Sequence, residues 1–206
     1  MRKDKIIEEV TPLFMRLGYR NLSMDQIAKE LKISKKTLYE QFENKLELIQ
    51  YVLGYRDLIV RERAKRIFGT AENAIDAYLQ TRVNLLEIVP ITQQRQNIFQ
   101  IKKYYKKIYS QSIKDLENII QTLMIEMLDR GISEGYFISD YDTHLMAEIY
   151  TANYMEMLTS DKFMTEEEYK NYSSAKSHIF LHGILTEKGR EYIAALKSKD
   201  PSQLTV

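Results

Sequence analysis

The sequence predicts an all-α protein of about nine helices, and three observations lead there. Apolar residues recur at intervals of three and four, as in Ile113, Leu116, Ile119, Ile120, Leu123, Met124, Met127 and Leu128, which puts them on one helix face. The period-two alternation of a half-buried strand is sustained nowhere. Gly 7 and Pro 3 in 206 residues are too few turn formers for a sheet architecture.

Composition sets the class. Hydrophobic residues at 44% and charged residues at 29% match a soluble globular chain, which argues against disorder. No apolar run approaches the roughly 18 residues of a bilayer span, so no membrane association is expected. Met1-Arg2-Lys3-Asp4 leads into charge instead of a secretory core, and a cytoplasmic protein is expected. With Cys 0, disulfides, thiolate nucleophiles and cysteine metal sites are all excluded. No cofactor is expected.

Breaks fall at Gly18, Lys32 to Ser34, Phe68-Gly69-Thr70, Pro90, 135–142 and the polar stretch Thr159 to Ser174. Short helices precede Gly69 and long ones follow it. Residues 1–70 hold 15 Lys+Arg against 10 Asp+Glu, a net +5, and the remaining residues carry −4. A small basic head over 1–50, a connecting helix to about 68, a larger body over 70–197 and a frayed tail at 198–206 follow from this.

Within the head, Ser23 and Gln26 have the spacing of a capping box that starts a helix. Ile27, Ala28 and Leu31 give it one apolar face. A tight turn at Lys32-Ile33-Ser34 leads to a second short helix with Leu38 and Phe42 inward, and Asn44 with Glu47 starts a third. The middle helix then presents Ser34, Lys35, Lys36, Thr37, Tyr39, Glu40 and Gln41 to solvent. Lysines neutralise phosphates, hydroxyls and helix N-terminal amides bond phosphate oxygens, and a helix of this width fits the major groove. A solvated polar face has the same composition, so spacing alone leaves both readings open.

Leu13-Phe14, Gly18-Tyr19, Ser23-Met24, Ile27-Ala28, Ile33-Ser34, Lys35, Thr37-Leu38-Tyr39, Phe42 and Asn44 to Leu48 resemble, in order and spacing, the head of TetR-type regulators. The likeness is specific over about the first 50 residues. It is weaker in the body, at Arg130-Gly131-Ile132 through Phe137 and at Phe180 to Ile184. It implies a three-helix helix-turn-helix head on a larger C-terminal helical body for ligand binding and dimerisation. DNA contacts would come from Ser23, Ser34, Lys35, Thr37, Tyr39 and Lys45, with Lys36 and Glu40 where groove contacts vary between members. Three departures stand out. Lys32 replaces a frequent turn glycine and must take an awkward, positive φ. Lys36 also replaces a common glycine, adding charge. Pro12 falls inside the expected first helix and should kink it or shift its start.

By the same resemblance the body holds a small-molecule pocket and pairs with a second copy through its last two long helices. Position and chemistry suggest Tyr78, Arg82, Leu86, Phe99, Tyr105, Leu123, Met124 and Met127 for the pocket, since aromatics and adaptable Met side chains suit an apolar cavity. Such stripes also serve as plain core. The dimer face is expected at Leu145, Ile149, Ala152 and Met155 on one helix and His178, Phe180, Leu181 and Leu185 on the other. The basic and aromatic run Lys102 to Tyr109 reads as a solvated face. His178 and His182 lack an acidic or cysteine partner for metal.

The expected function is a transcriptional regulator, a repressor of a palindromic operator released by a small, largely apolar ligand. No catalytic group set or phosphate loop supports an enzyme. The alternative is a helical adaptor or small-molecule-binding protein without DNA binding.

Overall fold

The computed structural model describes residues 2–84, 90–160 and 165–199, with the side chains at 82–84 outside the description. The described residues form ten helices: α1 (Lys3–Leu17), α2 (Met24–Glu30), α3 (Lys35–Tyr39), α4 (Lys45–Thr70), α5 (Ala74–Asn84), α6 (Ile91–Tyr104), α7 (Lys106–Ser133), α8 (Thr143–Thr159), α9 (Glu166–Ile184) and α10 (Glu187–Lys199). Among them is no strand, only an isolated bridge between Phe137 and Leu185. None is long and apolar enough to cross a membrane.

Two features depart from the expected pattern, the first lengthening a helix and the second adding the tenth. The polar stretch expected to be a break is helical from Glu166 onward. Thr165 accepts the Glu168 amide while the Glu168 carboxylate accepts the Thr165 amide, and glutamates at 166–168 favour the positive end of the helix dipole. Capping chemistry here outweighs the lack of an apolar face. The second feature is the step from α9 to α10 at Leu185-Thr186, where the backbone turns extended at Leu185 with neither Gly nor Pro to mark it. Of the expected tail, Ser198 and Lys199 complete α10 and the rest lies outside the described residues.

The chain forms two compact units. The first joins Met1–Arg61 with Ile88–Leu116, and the second joins Glu62–Glu87 with Glu117–Val206.

In the first unit Ile6, Val10 and Phe14, one turn apart along α1, are buried with Ile27, Leu38, Phe42, Leu48 and Ile49. Pro12 lies inside α1, which starts at Lys3, so the helix start is not shifted to the proline. Pro12 and Glu8 are both exposed, so the carbonyl that loses its partner lies on the solvent face. Helix α6 docks beneath through polar contacts: Asn97 donates to the Met15 carbonyl at 2.8 Å and Gln100 accepts the Arg20 amide at 2.8 Å. Gly18 makes room for that side chain, since a Cβ would stand 2.7 Å from Gln100 and its φ of 89° suits glycine.

The second unit packs Ala74, Ile75, Tyr78, Met127, Leu128, Phe137, Leu181, Ile184 and Ile193 into one core. Its corner between α4 and α5 is held by Arg130 of α7 and by Glu134, the residue that follows this helix. The Arg130 guanidinium donates to the carbonyls of Phe68 at 2.8 Å and Ala71 at 2.9 Å, and the Glu134 carboxylate accepts the Ala74 amide at 2.7 Å. Cation meets the carbonyl end of α4 and anion the amide end of α5, which satisfies groups a helix leaves unpaired. Arg130 and Glu134 also bond each other at 2.7 Å. At the end of α7, Gly131 leaves space for the Phe137 ring, one carbon of which lies 1.9 Å from where a Cβ would be.

Candidate nucleic-acid interface and body cavity

The helix-turn-helix is assembled by caps. Ser23 accepts the Gln26 amide at 3.2 Å while Gln26 accepts the Ser23 amide at 2.8 Å, completing the expected capping box of α2. Leu31 ends α2, and Lys32 takes φ 54°, the positive value that the glycine frequent there in the resembling family implied. The Ile33 amide then donates to the Ala28 carbonyl at 2.9 Å, closing the turn. Ser34 caps α3 by accepting the Thr37 amide at 2.9 Å. Asn44 accepts the Glu47 amide at 3.0 Å, and Glu47 accepts the Glu43 amide at 2.6 Å. That amide, followed by the bond from Lys3, holds the Glu47 carboxyl below its ordinary range.

Leu38 is fully buried, which fixes the rotation of α3 and turns its other face outward. Ser34, Lys35, Lys36, Tyr39 and Glu40 are exposed on that face, Tyr39 by 50%. Thr37 is half-buried, its hydroxyl 2.8 Å from that of Ser34. Lys35 reaches back to the Asp25 carboxylate at 2.5 Å. Such an exposed pair contributes little and leaves the ammonium available. Ser23 is exposed at the start of α2, and its hydroxyl, while accepting at the cap, keeps a proton to donate.

Lys45 stands apart chemically. It is half-buried, donates to the Arg20 carbonyl at 3.1 Å and lies 5.9 Å from the Phe14 ring centre. Burial lowers its pKa. The exposed Arg20, which the sequence reading omits, bonds the Tyr104 hydroxyl and places its guanidinium 4.4 Å from that ring's centre. Its only signal in the sequence is proximity to Gly18-Tyr19.

A cavity opens inside the second unit, with about 730 Å³ of space including its mouth. Tyr78, Leu123, Met124 and Met127 line it, as do Phe68, Tyr150, Tyr154, Met157 and Lys176, which the sequence reading does not select. Two suggested residues are elsewhere. Phe99 is 46% exposed and Tyr105 packs on the first unit's core, its hydroxyl donating to the Tyr19 carbonyl at 3.2 Å. Neither lines the cavity. Leu86 and the Arg82 side chain lie outside the described residues.

Surfaces on α8 and α9 divide the suggested dimer residues. Leu145 at 54% exposure, Ile149 at 48% and the exposed Ala152 form a stripe on α8. Met155, Leu181 and Leu185 are buried within their own unit and Phe180 stacks on Tyr78 with ring centres 5.8 Å apart, so these four are core. Helix α9 instead exposes Tyr172, Ala175, His178 and Ile179, the last by 74%. On α8 the suggested Leu145, Ile149 and Ala152 are exposed and Met155 is not; on α9 His178 is exposed while Phe180 and Leu181 turn inward, as does Leu185 just past the helix.

Residues 6–52 match the family model described as bacterial regulatory proteins, tetR family. A Staphylococcus aureus protein described as an HTH-type transcriptional regulator is 28% identical over 176 residues, covering 75% of this chain and 94% of its own. Among solved structures, a TetR-family transcriptional regulator from Cytophaga hutchinsonii superposes with a TM-score of 0.69 at 15% identity, over 90% of this chain and 95% of its own. The ketosteroid transcriptional regulator KstR2 of Mycobacterium tuberculosis gives 0.55 at 18% identity, over 91% and 96%.

Proposed function

We propose that this chain is a DNA-binding transcriptional regulator of the TetR family, and within it a homodimeric repressor, released from an inverted-repeat operator when a small, largely apolar ligand fills the body cavity. The DNA-binding domain is assigned to residues 1–50 and the ligand-binding and dimerisation domain to 70–197, of which residues 88–116 belong to the compact unit that holds the head. The observation that carries the reading is the outward face of α3, where Ser34, Lys35, Lys36, Tyr39 and Glu40 stand exposed above a buried Leu38. Lys35 and Lys36 meet phosphates, Ser23, Ser34 and Thr37 donate to phosphate oxygens, Tyr39 and Glu40 reach toward base edges, and Lys45 holds the backbone near the start of α4.

The exposed stripe Leu145, Ile149 and Ala152 with Ile179 and His178 supports pairing of two copies, because isolated apolar faces of this kind seek a partner. Two heads related by a two-fold axis read an inverted repeat. Release then requires the ligand to prefer the dimer conformation whose heads no longer match the operator; equal affinity for both would shift nothing.

Selection of bound fragments from a random DNA pool should return a palindrome. Gel shifts on that site should lose affinity steeply with salt, and Lys35→Ala should reduce the slope by about 0.9 per head. A slope unchanged by the substitution, or a pool with no palindrome, would remove the support for direct operator binding. For the second contact, Ile179→Glu is expected to turn a dimer into a monomer by size-exclusion chromatography with light scattering.

A further inference from the structure

Helix α9 turns Tyr169, Ser173, Lys176 and Ser177 toward the cavity, with the three-and-four spacing of one face. Lys176 is the lining residue that carries a formal charge. Its ammonium lies 4.2 Å from the centre of the Tyr150 ring and 5.4 Å from that of Tyr154. Among the described residues no carboxylate forms an ion pair with it. Burial lowers its pKa to about 8, which leaves it mainly charged at neutral pH.

Ring faces repay little of what this burial costs. A cation over an aromatic ring gains about 0.5–2 kcal/mol, whereas removing an ammonium from water costs several. An anion brought into the cavity would form a charge-assisted bond in a low-dielectric setting, where such bonds are strongest. The Met and aromatic walls meanwhile receive an apolar frame. A wholly apolar ligand would cover the ammonium without a partner and deepen its desolvation.

We propose that the cavity selects ligands with an acidic group, a carboxylate, phosphate or sulfonate, on an apolar frame, and that the Lys176 ammonium anchors that group. The inference rests on the reading that the cavity is the ligand site, and it narrows a largely apolar ligand to an acidic amphiphile. Tyr150 and Tyr154 hold the anchor from its ring side, and Ser173 and Ser177 supply hydroxyls along the same helix face.

The test uses two probes of nearly equal shape, 8-anilinonaphthalene-1-sulfonate and the neutral N-phenyl-1-naphthylamine, titrated by fluorescence into the full chain. Lys176→Met should weaken the sulfonate probe about tenfold and leave the neutral one unchanged or tighter, while Lys176→Arg keeps the sulfonate within about threefold. Equal effects on both probes, or none, would overturn the anchor. Ser173→Trp, which fills the cavity, separates this failure from the broader one. If it weakens both probes while Lys176→Met does not discriminate, the cavity binds ligand and only the acidic preference is wrong. If neither probe binds, or Ser173→Trp changes neither, the ligand-site reading fails and the anchor with it. Circular dichroism of each variant checks that it is folded.

Discussion

Between Ile6 and Leu53 the buried residues are apolar apart from Thr11, whose hydroxyl donates to the Ile7 carbonyl at 2.6 Å, and Tyr19, a single phenol stacked on Phe14. The polar groups of this stretch are spent on caps and on the outer face of α3. Around the body cavity, by contrast, several phenols and an ammonium are drawn inward, and next to the lining Tyr150 in the chain the Thr151 hydroxyl is buried with no hydrogen-bond partner among the described residues. Each unsatisfied group of that kind costs about 1–3 kcal/mol. One region is arranged for a single rigid outline, and the other gives up packing and desolvation energy to keep a polar-edged space open.

Truncating one side chain in each region tests this most sharply. Leu38→Ala should cost about 3 kcal/mol by urea denaturation, because the fully buried side chain leaves a void that neighbours cannot fill. Met124→Ala should cost about half as much, since it already borders open space. Equal losses would erase the contrast.

Lys176→Met comes next, with an opposite sign. At pH 7 it should stabilise the protein by about 2 kcal/mol, because it removes a charge held out of water. A lysine whose folded pKa is near 8 against 10.5 unfolded releases its proton more readily when folded. The penalty therefore acts in full below pH 8, is relieved as pH rises from 8 toward 10.5, and the gain from Met should shrink over that window. Urea curves at pH 7 and pH 9.5 measure it.

Smallest is Lys32→Gly. The left-handed φ of 54° costs a lysine about 1–2 kcal/mol, and glycine gives back part of that relief through its greater unfolded entropy. A net gain of about 0.5 kcal/mol is expected in the same urea assay. A loss would mean that the Lys32 side chain stabilises the turn in some other way.

The same contrast explains what could be read in advance. Caps are local, so Ser23 with Gln26 and Asn44 with Glu47 announce their bonds from spacing alone, whereas the positive φ at Lys32 was implied by the resemblance, through the glycine frequent at that place. The body depends on rotation about a helix axis. Helix α8 is apolar on two sides, with Leu145, Ile149 and Ala152 outward and Tyr150, Tyr154 and Met157 inward, so periodicity gave one stripe and concealed the other. On α9 the outward Ile179 and the inward Leu181 are two residues apart, and choosing between them needed the core. Phe99 and Tyr105 carry the residue types of a pocket wall, but the bonds of Asn97 and Gln100 take α6 to the head and the Tyr105 hydroxyl bonds the Tyr19 carbonyl there.

The clamp of Arg130 and Glu134 at the α4–α5 corner has a handedness that an ordinary ion pair lacks. Two surface charges that only face each other can be exchanged, and a doubly reversed variant restores the attraction. Here each charge also answers to a helix end of fixed polarity: the guanidinium to the carbonyls of Phe68 and Ala71, the carboxylate to the amide of Ala74. Exchanging them would set anion against carbonyl and cation against amide. The double reversal should then be worse than either single change, so no neutral path of compensating substitutions connects the two orders.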